Sequence, residues 1–149
     1  MPFGGNDWLA LTQEETLEPD IPICDPHHHF WDFRSRSVPY QRYLLHDLAD
    51  DINSGHNVRS TVFIEARAMY RADRPEEMRP VGEIEFVQGL AAASASGIYG
   101  SHKAAAAIVG HANLNLGELV EPVLEAYKEG VKGGKKKAEG GTKGKALRR

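Results

Sequence analysis

Between Ile21 and Glu129, short apolar runs alternate three times with segments whose apolar residues recur at helical spacing. Ile21–Asp25, Arg59–Ala66 and Ala104–Gly110 have the length and near-continuous apolarity of strands covered on both faces. The alanines of the third run alone favour a helix. It is read as a strand because it follows a helix and a glycine-containing turn and ends in Gly110-His111. The intervening segments are helical in period. Leu44, Leu45, Leu48 and Ile52 form one stripe, closed by Asn53-Ser54-Gly55. Ile84, Val87, Leu90, Ala91 and Ala95 form the next, closed by Gly97, and Leu119, Val120, Val123, Leu124 and Tyr127 the third. Strand, helix, strand, helix, strand, helix is the βαβ repeat of a parallel sheet with right-handed crossovers. The expected fold class is therefore α/β.

Composition divides the 149 residues unevenly. Residues 128–149 hold nine Lys/Arg against two acids, which leaves nine bases and nineteen acids in residues 1–127. The chain is an acidic body with a basic end, although its net charge is only −3. Three regions follow: an N-terminal strap (1–20), a β/α domain (21–129), and a Gly/Lys-rich tail (130–149) too poor in apolar residues to offset its ordering entropy. The single cysteine, Cys24, excludes an intramolecular disulfide and reads as a small buried residue. No run approaches the ~20 apolar residues of a membrane span. The first residues lack the basic start and apolar core of a secretory signal. A cytoplasmic location without membrane contact is expected.

The first strand leads into Asp25-Pro26-His27-His28-His29-Phe30-Trp31-Asp32. If the extended backbone continues, Asp25, His27 and His29 share one face while Pro26 and His28 share the other. Two imidazoles so placed can reach one divalent metal. The second strand closes on Glu65, a carboxylate at the same strand end. It could act as general base, steady an imidazole or touch substrate, or form an ion pair with Arg67 or Arg71. His111 follows the third strand, either in contact with substrate or hydrogen-bonded within its loop. Arg34 and Arg36, in the segment after the first strand, could hold a substrate carboxylate bidentately or be ordinary surface arginines.

The Asp-Pro-His-His-His-Phe-Trp-Asp stretch after a first apolar strand resembles the opening of the amidohydrolase-related family of TIM-barrel metal-dependent hydrolases. The similarity is greatest to the branch of sugar-acid lactonases and pyrone-dicarboxylate lactonase relatives. It extends over about residues 21–127, through Ser54-Gly55-His56-Asn57-Val58 to Glu65, Phe86 to Gly97, and Ile108-Val109-Gly110-His111. The resemblance implies a barrel in which His27 and His29 are metal ligands and Glu65 and His111 assist catalysis. It implies a divalent cofactor, zinc first, with metal-free relatives also known, and a lactone or carboxylate-bearing cyclic compound as substrate.

A whole barrel of this kind has eight such units in about 250 residues. This chain has three, and the later histidines and the late aspartate of the family have no counterpart. The expectation is an incomplete barrel from a shortened or altered reading of a longer gene, prone to self-association through its exposed sheet edge. The alternative is a non-catalytic chain whose basic end binds nucleic acid or acidic surfaces non-specifically through counterion release. The end carries no aromatics and no nucleic-acid module, which makes that partner the less expected one.

Overall fold

The computed structural model describes residues 10–12, 14–33 and 40–139, with 131–139 as backbone alone. Strand β1 (Pro22–His28) is followed by β2 (Trp31–Asp32), β3 (Arg42–Tyr43) and helix α1 (Leu45–Ile52). Strand β4 (Asn57–Ile64), helix α2 (Val81–Ser94), strand β5 (Lys103–Val109) and helix α3 (Glu121–Glu139) complete the order. Short 3-10 turns at Glu76–Met78 and Leu114–Val120 precede α2 and α3. β1, β4 and β5 form a parallel sheet in the order β1-β4-β5, while β2 and β3 pair antiparallel beside it. The chain is α/β, as the alternating pattern requires, and no barrel is closed among the described residues.

Each element follows from local chemistry. In α1 the stripe Leu45, Leu48 and Ile52 is buried, and Asp47 accepts the free Leu44 N–H at 2.8 Å, satisfying a donor the first turn leaves over. The helix stops at Gly55, whose φ of +132° and whose approach to Thr16 exclude a side chain. In α2 Ile84 and Val87 face the sheet, and Gly97 (φ +80°) ends the following turn. β5 is a strand despite its alanines, because its backbone pairs with β4 and its small side chains lie beneath α2. The core lies on this helix-covered side: Phe30, Phe63, Leu45, Leu48, Val87, Ala104 and Ala105, with Phe30 stacked on Phe63 at 6.1 Å between centroids.

One polar link crosses this core. Thr61 on β4 meets His28 Nε2 at 2.8 Å and accepts the Ala105 N–H at 2.9 Å. Ala105 takes a left-handed φ of +49° where the β4–β5 register shifts, so its N–H turns to the threonine rather than to the ladder. A single hydroxyl thereby ties all the strands of the parallel sheet. Burial lowers the pKa of His28 below the ordinary imidazole value.

Two expectations need correction. Cys24 is exposed, because on its side of the sheet no element among the described residues covers the strand. The last helix runs to Glu139 and so takes in residues that the composition assigned to the tail. The lysines and Ala138 of that stretch favour helix while Gly133 and Gly134 oppose it, and the extension continues a helix already nucleated by packing on α2. Residues 140–149, and the N-terminal 1–9 of the expected strap, lie outside the described residues. No helix among the described residues is long and apolar enough to cross a membrane.

Candidate metal centre

β1 ends in a break of register. Cys24 and Asp25 pair with Ser60 and Thr61, but His28 pairs with Phe63, so one residue more is used on β1 than on β4. Asp25 stabilises the break by accepting the His27 N–H on Oδ1 at 3.0 Å. The result turns His28 inward, where its ring packs against Phe30 (4.7 Å) and Phe63 (5.9 Å). His27 and His29 emerge on the other side with their rings perpendicular and their Nε2 atoms 3.2 Å apart.

The two rings are held differently. His29 Nδ1 lies 2.8 Å from the Ile64 carbonyl at the end of β4. A carbonyl only accepts, so Nδ1 carries the proton and the Nε2 lone pair of neutral His29 points at His27. In the metal-free protein His27 therefore donates through Nε2–H. With an ion between the rings, His27 would carry its proton at Nδ1. A separation of 3.2 Å suits two ligands each about 2.0–2.1 Å from one ion at a near-tetrahedral angle. A backbone carbonyl on the remote nitrogen of one ring is the usual orienting partner of a metal-bound histidine. The pair thus fits a divalent cation as a two-point anchor. Among the described residues no third His, Cys, Asp or Glu joins them in a metal-holding group, whereas catalytic zinc takes three protein ligands.

The groove around the pair, about 470 Å³, is walled by Asp25, Trp31, Tyr43 and Asp51, with Leu48 and Ile52 beneath. Trp31 stacks on Tyr43 at 5.3 Å, and its Nε1 donates to the Tyr40 carbonyl at 3.0 Å. The Tyr43 hydroxyl donates to Asp51; burial first, and then this carboxylate, raise its pKa.

The other candidates are distributed along the same strand ends. Glu65 follows β4 directly, and its N–H donates to the Val109 carbonyl at 2.9 Å, clamping the ends of β4 and β5 together. Its carboxylate turns back to accept the Arg67 N–H at 3.3 Å, and Arg71 is paired with Glu85 instead, at 2.6 Å. His111 is exposed and lines a second pocket of about 460 Å³ with Arg67, Tyr70, Arg79, Asn113 and Leu116. Its carbonyl accepts the Tyr127 hydroxyl. His27 and His29 are brought together; Glu65 and His111 share the rim but do not join them. Arg34 and Arg36 lie outside the described residues.

Sequence reasoning missed Glu83. This carboxylate, in the first turn of α2, is fully buried and accepts the N–H of Ala66 at 2.9 Å and of Ala68 at 2.8 Å on one oxygen. Burial raises its pKa despite the two backbone donors, and the neighbouring Glu65 charge adds to the rise. Burial, with the Glu83 and Glu65 charges, also pushes the Tyr127 hydroxyl up to about 12. The signal available in the sequence was the Glu83 position itself, the third of the helix, where a carboxylate captures free N–H groups. Here it captures those of the preceding loop.

Comparison of the chain with models of protein families, with curated proteins and with solved structures gave no match.

Proposed function

We infer that this chain is the first three β/α units of an amidohydrolase-type TIM-barrel fold and serves a metal-dependent hydrolase acting on a lactone or related cyclic carbonyl. The observation that carries the reading is the His27–His29 pair, with Nε2 atoms 3.2 Å apart and one ring fixed by the Ile64 carbonyl. The Asp-Pro-His-His-His-Phe-Trp-Asp motif supports it, as does the position of the pair at the C-terminal end of a parallel strand, where barrels of this type carry their chemistry. His27 and His29 would hold a divalent ion, which when bound would acidify a water for attack and polarise the carbonyl as a Lewis acid.

The chain's own groups do the rest. The Ile64 carbonyl and the Asp25 carboxylate orient the two histidines that would hold the ion, and the indole of Trp31 forms one wall of the groove. Glu65 and His111, just after β4 and β5, are the groups assigned to proton transfer in this reading. Hydrolysis of simple γ- and δ-lactones, followed by pH-stat with added zinc or manganese, should be detectable and absent from His29→Ala. Equal turnover by the variant would remove the pair from the reaction.

A second feature bears on how the site is completed. Val109 is 48 % exposed on β5, Ile21 is 51 % exposed before β1, and among the described residues nothing pairs with the outer edges of either strand. Two copies joined edge to edge would cover these residues and bring two histidine pairs to one rim. Sedimentation velocity should show concentration-dependent association that Val109→Lys weakens; a monomer at every concentration contradicts it.

A further inference from the structure

The loop after β4 carries backbone strain that its contacts with α2 hold in place. Arg67 (φ +58°) and Met69 (φ +53°) both take left-handed backbone, which side-chain-bearing residues adopt only under constraint. The constraint is visible. Glu83 grips the Ala66 and Ala68 N–H groups from below. A side-chain carbon at Gly82 would lie 2.4 Å from the Met69 carbonyl, so only glycine lets the loop seat on α2. Arg71 is fastened to Glu85 by two hydrogen bonds of 2.8 Å.

What the constrained loop presents is a binding wall. Arg67 and Tyr70 face the pocket of about 460 Å³ across from His111 and Asn113, with Arg79 between. The volume is that of a small-molecule site. The Tyr70 ring lines the same wall, with its hydroxyl sealed beneath the surface beside Glu65 and Glu83. Among the described residues Arg67 and Arg79 make no ion pair, and the Arg79 side chain donates to the Arg74 carbonyl. Glu76 and Glu77, exposed on the 3-10 turn, also line the pocket and disfavour negative charge beside them. The pocket therefore suits a ligand with one localised anionic end and an uncharged body.

We propose that this pocket is a carboxylate-binding site, in which the Arg67 and Arg79 guanidinium groups receive the anionic end of a small cyclic acid. Glu83 is a positioning residue: it holds the backbone that displays Arg67 and touches no ligand. The assignment deepens the hydrolase reading and rests on it only for the fate of the ligand. Retention of the carboxylate is measured without turnover or metal, so its failure and the failure of that reading are separate results.

The test is titration of the full chain with benzoate, and with benzamide as its uncharged isostere, followed by backbone amide shifts. Benzoate should move the amides of residues 66–71 and 111–116 saturably, and benzamide should not. Arg67→Gln should weaken benzoate by about tenfold or more, the range of one charge-assisted hydrogen bond. Arg67→Gly should raise Tm by a few degrees, because glycine relieves the left-handed strain, while losing benzoate to the same degree. Absence of a saturable benzoate shift, an equal response to benzamide, or undiminished binding by Arg67→Gln would each overturn the proposal.

Discussion

Replacement of Glu83 by leucine is expected to lower the stability of the fold by about 3 kcal/mol, and replacement by glutamine to leave it nearly intact. The leucine variant abandons the N–H groups of Ala66 and Ala68, both served by one carboxylate oxygen in a buried place. Each stranded donor costs about 1–3 kcal/mol, and leucine returns part of that through apolar burial. Glutamine keeps an acceptor oxygen in the same position. It also removes a charge that the site disfavours, because burial holds the Glu83 pKa above its ordinary value of 4.5.

The sign of the pH dependence follows. A carboxylate whose pKa is higher folded than unfolded binds its proton more tightly in the folded state. Its contribution is fully present below the unfolded value and is lost as pH rises through the folded one. Relative to wild type, Glu83→Gln should therefore gain stability between pH 4 and pH 7. Urea unfolding at the two pH values checks both statements. A leucine variant as stable as wild type would show that the loop needs no clamp, and with it the display of Arg67 would lose its explanation.

The same residue shows where the sequence stopped being legible. The strands and helices were readable because their burial is periodic: Leu45, Leu48 and Ile52 occupy one side of α1 as the spacing requires. Alternation along β1 likewise separated His28 from His27 and His29. What the pattern could not carry was any contact between elements distant in the chain. Glu83 sits beside Ile84 in a helix where a glutamate ordinarily faces water. Its burial depends on the 66–68 loop folding over it, and nothing local announces that. The partner of His29 is a backbone carbonyl of β4, which has no side-chain signature at all. Cys24 failed for the opposite reason. An apolar run implies two covered faces, and among the described residues nothing covers the Cys24 side chain. The bulge at Ala105 was equally hidden, since alanine gives no hint of left-handed backbone.

Loss of both histidines should have the largest effect on binding. Groups that only orient a metal ligand are worth about 10–100-fold in affinity, so removing two ligands should cost at least 100-fold. The fold should survive, because His27 is exposed and His29 half-buried, whereas the core contact belongs to His28. His46, His56 and His111 are also exposed and remain in the variant as a control for adventitious binding. The deciding measurement is zinc titration by calorimetry at pH 7, comparing wild type with His27→Ala/His29→Ala after circular dichroism shows both folded. One ion per chain, or per pair of chains if they associate, with affinity at least 100-fold lower in the variant, is the predicted result. Equal zinc binding by the two proteins, or none by wild type, would contradict the assignment of His27 and His29 as a metal anchor.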